Sequence, residues 1–231
     1  MSRSELVSVI SLGFLVFTIL FIRVGFFFGL TISPLTLSMS FLWYVTSLYV
    51  LFLVSRSSNT ILRNEFLAMG MFIVMGVGLY VVSFPMGNTY DLSWDGQGYH
   101  QSAIIALKEG WNPVSEASIK FREKLPSQIF AESYPSALWE VQSAVYAVTD
   151  QVNSGKILNF AIAGVAFFFV FALLRRLSMG FLFAGVIASA MVLQPVFLIQ
   201  ALTYMQDGFG YELLLIALSS LKVLIVTGKL H

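Results

Sequence analysis

The chain has 231 residues, of which 58% are hydrophobic and only 11% are charged, and its mean hydropathy is +0.84. Soluble domains carry roughly 25% charged residues, so this composition excludes an ordinary soluble domain and indicates a polytopic membrane protein. The net charge of +1 gives no reason to expect a nucleic-acid partner, and the absence of cysteine excludes disulfides and thiolate metal sites.

Six apolar runs predict membrane-spanning helices, because each is near the ~20 residues that cross a bilayer and lipid offers no hydrogen-bond partners to an open backbone. In chain order they cover residues 6–32, 35–54, 66–84, 157–174, 181–199 and 209–226. The expected fold is all-α. Three spans lie in residues 1–84, a long extracytoplasmic loop in residues 85–156, and three further spans in residues 157–231.

The basic residues predict the orientation, because short cytoplasmic loops are rich in Lys and Arg. Six basic residues lie at the ends of spans or in the short links that this rule makes cytoplasmic: Arg3, Arg56, Arg63, Arg175, Arg176 and Lys229. With all of them inside, the N-terminus is cytoplasmic. Residues 85–156 and the short link 201–208 then face the same outer compartment.

The outer loop is predicted to hold two amphipathic helices that lie along the membrane surface. The first covers residues 99–109 and ends at Gly110, where a helix C-terminus favours glycine. The second covers residues 133–149, where apolar residues recur at helical spacing: Leu138, Val141, Val145 and Val148. The polar residues 115–133 are expected to form a surface loop with a short helical piece.

The segment from Asp91 to His100 opens this loop and holds its densest chemistry. Asp95 is either a general base that takes a proton from a hydroxyl or the N-cap of the next helix. Asp91 is a weaker candidate and is otherwise a solvated or capping residue. His100 is either structural or binds phosphate, tunes Asp95 or ligates a metal. Gly96 and its neighbour Gly98 allow a tight turn or a close approach to a ligand.

Three charged residues near span ends are further candidates. Asp207 lies in the short outer link and is either functional or the cap of the sixth span, with Glu212 one turn later. Arg23, near the outer end of the first span, either snorkels to water or pairs with a carboxylate or phosphate. The aromatic residues of the loop either stack on a sugar or form an interfacial belt: Tyr90, Trp94, Tyr99, Trp111 and Tyr134.

Four outer segments resemble motifs of the bacterial GT-C glycosyltransferase superfamily, whose members are polytopic enzymes that use lipid-phosphate-linked sugars. The segments are Trp94-Asp-Gly-Gln-Gly-Tyr-His100, Gly110-Trp-Asn-Pro113, Tyr134-Pro135 and Tyr204-Met-Gln-Asp-Gly208. The resemblance implies transfer from a polyprenyl-phosphate-linked sugar at the outer face of the cell's inner (cytoplasmic) membrane. Soluble-enzyme motifs such as a phosphate-binding loop, a dinucleotide fingerprint or a zinc helix are absent from the sequence.

The resemblance also implies roles for individual residues. It makes Asp95 the catalytic base, with Asp91 as the fallback, and it adds Asp207 and His100 to the catalytic set. The expected substrate-binding residues are Asp91, Trp94, Gln97, Tyr99, Trp111 and Tyr134. No cofactor is implied with certainty. The leaving phosphate needs a cation, and the candidates are His100, Arg23, a lysine of the outer loop, or a divalent metal held by Asp91 and Asp207.

Members of the superfamily usually have more than six spans. We therefore expect the chain to be an N-terminal portion of a longer enzyme, a shortened protein whose partner subunit supplies the missing helices, or an inactive homologue. The alternative is a non-enzymatic membrane protein, such as a transporter fragment or an accessory subunit. Transporters place ionisable residues near the middle of their spans, whereas most charges here lie at the outer edges.

Overall fold

The computed structural model describes residues 3–54, 59–116, 118–119, 128–134 and 136–226, and within these ranges it is all-helical. The helices are α1 Arg3–Phe27, α2 Pro34–Val54, α3 Asn59–Gly87, α4 Gln101–Lys108, α5 Gln128–Ser133, α6 Ala137–Thr149, α7 Ile157–Arg176, α8 Phe181–Val192, α9 Pro195–Gln200 and α10 Asp207–Val226. A π-helical turn, Gly96–His100, leads into α4, and a 3₁₀ turn, Val152–Lys156, leads into α7.

Within the described ranges, four helical stretches are long and apolar enough to cross a membrane. They are Ser4–Phe27, Pro34–Leu51, Glu65–Gly87 and Val152–Arg176, and they coincide with the first four predicted spans. Such helices are consistent with a multi-pass membrane protein. Two of the basic residues used to predict the orientation, Arg56 and Lys229, lie outside the described residues.

The fifth predicted span is divided into two helices. α8 is apolar but has only 12 residues, and α9 begins at Pro195. Proline has no N–H to donate and disfavours helical geometry in the residue before it. Gln194 is accordingly extended (φ −68°, ψ 160°), and its side-chain oxygen accepts a hydrogen bond from Val196 N at 2.7 Å. The sixth predicted span is covered by α10.

The first three helices pack around an apolar core to which Val7, Ile10 and Phe72 contribute. Tyr44 of α2 donates a hydrogen bond to Ile10 O at 2.7 Å. A Cβ on Gly13 would meet the Tyr44 hydroxyl at 2.5 Å. Glycine at this position therefore lets α1 and α2 approach closely.

The long helix α7 packs against α1, α8 and α10. At its C-terminal end Arg176 pairs with Glu5 of α1, with one N–O distance of 2.6 Å. Near its other end Asn159 donates to the carbonyls of Gln200 and Thr203 at 3.3 and 2.9 Å. These bonds attach the link before α10 to α7.

Residues 96–149 contribute to a third core, where α4 packs against α6. Ile104 and Leu107 of α4 and Trp139 of α6 are fully buried in it. The predicted helix 99–109 corresponds to the π-helical turn and α4, and the chain leaves it at Gly110 with a φ of +105°. The apolar faces of α4 and α6 thus pack on each other in part.

The second predicted outer helix begins later than expected. α5 ends at Ser133, and α6 begins at Ala137 and ends at Thr149. Pro135, which falls within the predicted range of that helix, lies outside the described residues. α5 corresponds to the short helical piece predicted within residues 115–133.

Candidate functional site

Three segments of the chain meet at His100, which is 3% exposed. Its Nδ1 atom accepts a hydrogen bond from Trp139 Nε1 of α6 at 2.8 Å. The same atom lies 3.5 Å from Nε2 of Gln206, in the link before α10. The histidine therefore joins residues 91–100 to α6 and to residues 204–208.

His100 is neutral at pH 7. Burial lowers its pKa to about 4, although the negative charges of Asp95, Asp91 and Asp207 act to raise it. Loss of hydration disfavours the charged imidazolium more than these carboxylates favour it. His100 is therefore unsuited to the predicted role of a cation that neutralises a phosphate.

Asp95 precedes the π-helical turn but does not cap it. Its backbone is already helical (φ −65°, ψ −40°), and its side chain makes no capping hydrogen bond. A true N-cap has an extended backbone and a side chain that accepts a bond from the next turn. The half-buried carboxylate is thus not engaged in capping, which was the structural alternative to a chemical role.

The charges of Asp95 and Asp207 act on the same two rings. Burial is the main cause of the raised pKa of Tyr99, followed by its hydrogen bond with Tyr134, and both carboxylates raise it further. The same two charges act on His100. The two carboxylates therefore bear electrostatically on the same pair of rings, Tyr99 and His100.

Asp207 is the exposed first residue of α10. One of its oxygens, Oδ2, accepts a hydrogen bond from Gln200 Nε2 at 3.0 Å. The Oε1 atom of Gln200 in turn accepts from Gly208 N at 2.6 Å. Gln200 therefore fixes the start of α10 and the position of the carboxylate.

Asp91 is buried and engaged by the protein. Its Oδ1 accepts bonds from Ser93 N and Ser93 Oγ at 2.8 and 2.6 Å, and its Oδ2 accepts from Tyr204 N at 2.6 Å. Nearby, the fully buried Lys156 donates to Thr89 O at 2.5 Å. Asp91 ties residues 91–100 to residues 204–208, which leaves little room for its predicted roles in substrate binding or as the fallback base.

The predicted substrate-binding aromatic residues separate into two groups. Tyr99 is buried, and its ring lies 5.3 Å from that of the half-exposed Tyr134, beside His100. Trp94 is 75% exposed on the same turn as the exposed Gln97. Trp111 is buried, and its Nε1 donates to a backbone carbonyl at 3.3 Å. The ring of Trp111 is therefore a core element without a free face for a sugar.

Arg23 pairs with a carboxylate and does not simply extend to water. Its guanidinium lies 2.7 Å from Glu140 Oε1 and donates to Ser136 Oγ at 2.7 Å. Burial raises the pKa of the fully buried Glu140 more than Arg23 and Ser136 lower it. Glu140 was not singled out from the sequence. A lone acidic residue within a predicted amphipathic helix was the feature that could have indicated it.

The described residues hold no group of three or more His, Asp or Glu side chains able to bind a metal. The suggested metal site on Asp91 and Asp207 also fits poorly, because both oxygens of Asp91 already accept bonds from N–H and O–H donors. Three of the roughly four lone-pair sites of this carboxylate are thus occupied, which leaves Asp91 at most one for a metal.

An apolar cavity of about 410 Å³ lies among α1, α2, α3, α6 and α7. α6 contributes Val141, Val145 and Val148 to its wall, and none of the predicted site residues lines it. At 100° per residue these valines lie on the helix face opposite Trp139. α6 therefore separates the cavity from His100, which accepts its hydrogen bond from Trp139 on the other face of the helix.

Searches of protein-family models, curated proteins and solved structures find no match to the chain.

Proposed function

We propose that the protein transfers a sugar from a polyprenyl-phosphate donor to an acceptor hydroxyl on the extracytoplasmic side of the membrane. One observation carries the proposal. The Asp95 carboxylate is half-buried, does not cap the turn it precedes, and acts with Asp207 on the same pair of rings. A carboxylate left unengaged in this way is available to accept a proton.

In the proposed reaction Asp95 takes the proton of the acceptor hydroxyl. The hydroxyl oxygen forms a bond to the anomeric carbon, and the bond from that carbon to the phosphate oxygen breaks. The electron pair leaves with the polyprenyl phosphate, and the anomeric configuration inverts. The exposed ring of Trp94 and the half-exposed ring of Tyr134 are accessible for stacking on the sugar.

The proposal places six spans in the membrane, with α8, α9 and α10 completing the bundle and residues 85–156 outside. α4 and α6 then lie at the outer surface. The apolar cavity among α1, α2, α3, α6 and α7 offers a hydrocarbon chain an apolar site within the bundle, but α6 lies between it and His100, so this cavity is not taken as the site of the donor's lipid. Helices supplied by a longer chain or by a partner subunit remain part of the hypothesis.

The test compares Asp95→Asn with the parent protein in membranes that contain the natural acceptor. Each sample receives a panel of labelled polyprenyl-phosphate-linked neutral and amino hexoses, and donor consumption is measured. Since a general base contributes about 10²–10⁴-fold, Asp95→Asn should lower the rate at least about 100-fold. Asp150→Asn is the matched control, because Asp150 is an exposed carboxylate paired with Lys108. An unchanged rate in Asp95→Asn, or no consumption by the parent, rejects the proposal.

One observation favours the non-enzymatic alternative of an ion-conducting membrane protein. Glu212 in α10 is fully buried, and neither of its carboxylate oxygens has a hydrogen-bond partner in the described part of the chain. Ionisable residues inside spans commonly mark ion or proton pathways. This alternative predicts that Glu212→Gln abolishes proton or cation flux in proteoliposomes, whereas Asp95→Asn does not.

A further inference from the structure

The hydrogen bond from Trp139 determines which nitrogen of His100 carries the proton. An indole N–H can only donate, so the Nδ1 atom that accepts it at 2.8 Å must present a lone pair. A neutral imidazole has one N–H and one lone pair. The proton of His100 is therefore on Nε2.

We propose that His100 serves the transfer reaction as a neutral hydrogen-bond donor through Nε2–H, and that Trp139 is the positioning residue that fixes this tautomer. The inference rests on the proposed function and deepens it. The group recognised is an oxygen of the sugar phosphate, held beside Asp95. His100 is buried against α6 and contacts the link before α10, so its ring has a fixed direction.

This tautomer excludes metal ligation through Nε2, one of the roles that the sequence left open, and it also excludes a general base at that atom. A general base or a metal ligand at Nε2 needs a lone pair on that atom. Moving the proton to Nδ1 would set two N–H groups against each other, His100 Nδ1–H and Trp139 Nε1–H. That arrangement loses a buried hydrogen bond and leaves a buried donor unsatisfied, so it is disfavoured.

Burial keeps His100 a neutral donor in the working pH range, although the carboxylates around it favour the cation. The charged and titratable groups around His100 come from residues 91–100, from the start of α10 and from the segment before α6: Asp91, Asp95, Asp207, Tyr99 and Tyr134. The pKa of His100 is nevertheless lowered to about 4 by burial. Transfer should therefore show no inflection from this histidine between pH 5.5 and 8.

The tautomer is measured by ¹⁵N solid-state NMR of histidine-labelled protein in lipid bilayers. The chain has two histidines, and a His231→Gln background leaves His100 as the single signal. We expect one protonated nitrogen, assigned to Nε2, and one unprotonated nitrogen from pH 8 down to pH 5.5. Trp139→Phe should mix the tautomers. Trp111→Phe removes another buried indole N–H and should leave the spectrum unchanged.

The role in transfer is tested with His100→Gln and His100→Asn. The Gln amide nitrogen lies as many bonds from the backbone as Nε2, whereas the Asn amide nitrogen lies at the position of Nδ1. Loss of one such donor costs about 10²–10³-fold in rate. We expect His100→Asn to lose activity by about that factor and His100→Gln to retain most of it.

The outcomes separate this inference from the proposed function. A proton on Nδ1, or a doubly protonated ring, overturns the tautomer whatever the protein catalyses. Equal losses in His100→Gln and His100→Asn, with donor consumed by the parent, overturn the donor role. A parent protein that consumes no lipid-linked sugar while NMR finds Nε2–H rejects the proposed function, and with it the role of His100.

Discussion

Removal of the Arg23 side chain should destabilise the protein through Glu140. Glu140 is fully buried and receives charge-assisted bonds from Arg23 at 2.7 and 3.0 Å. Arg23→Met keeps most of the apolar stem and removes the charge, which leaves a buried carboxylate with Ser136 as its remaining described partner. Breaking a buried pair on one side costs about 3–5 kcal/mol.

Protonation of Glu140 limits this loss of stability. A carboxyl group with an ordinary pKa can be neutralised at pH 7 for about 3.5 kcal/mol, at about 1.36 kcal/mol per pH unit. The Arg23 side chain is 38% exposed, so water already screens part of the interaction. We therefore expect Arg23→Met to lower the free energy of unfolding by about 2–3 kcal/mol at pH 7.

The assay is equilibrium unfolding in mixed micelles with increasing SDS, followed by tryptophan fluorescence. Burial raises the pKa of Glu140, and removal of Arg23 raises it further. A raised carboxyl pKa favours the folded state at low pH, and this contribution is lost as the pH rises. The destabilisation of Arg23→Met should thus be smallest near pH 5 and largest near pH 8.

The double variant Arg23→Met with Glu140→Gln is the matched control, because it removes the unpaired charge and keeps the side-chain volume. It should recover most of the lost stability. A stability equal to that of the parent, a loss that grows toward low pH, or a double variant weaker than Arg23→Met would refute the reasoning.

Two further predictions concern the close packing of Gly96 on Asp91 and the attachment of residues 200–203 to α7. Gly96→Ala should lower the free energy of unfolding by about 1–3 kcal/mol, because the added Cβ would lie 2.5 Å from Asp91 Cγ. Gly98→Ala is the control, because nothing lies within 4 Å of a Cβ at that position. Equal shifts in the thermal unfolding of the two variants would contradict the prediction. Asn159→Ala removes the amide that binds three carbonyls of residues 200–203. Hydrogen exchange of amides 201–206 should become faster, and unchanged protection would show that the link is held elsewhere.

The four helices with candidate spans could be predicted from the sequence because their signal is local. An apolar run of the right length must satisfy its own backbone in lipid, so the helix follows from composition. Gly110 likewise predicted the end of α4. Pro195 was also visible, but the apolar run around it suggested a continuous span. The helix breaks there because Pro195 has no N–H to donate and disfavours helical geometry in Gln194, however apolar the surrounding residues are.

The choice between Asp91 and Asp95 shows what the sequence left open. The two carboxylates lie four residues apart in the same polar motif, and either suited a base or a cap. Tyr204 N reaches Asp91 across 113 residues of sequence. Asp91 thereby becomes a structural tie, and Asp95 is left without a capping role.

The sequence by itself determined that the protein is helical and apolar enough for a membrane, and it located the polar segments 91–100 and 204–208. The tertiary structure decided the partners: Arg23 with Glu140, Trp139 with His100, and Asp91 with Tyr204. Hydropathy and helical period describe neighbours along the chain. Contacts between segments 39 to 117 residues apart depend on how the helices pack, and no local pattern encodes that packing.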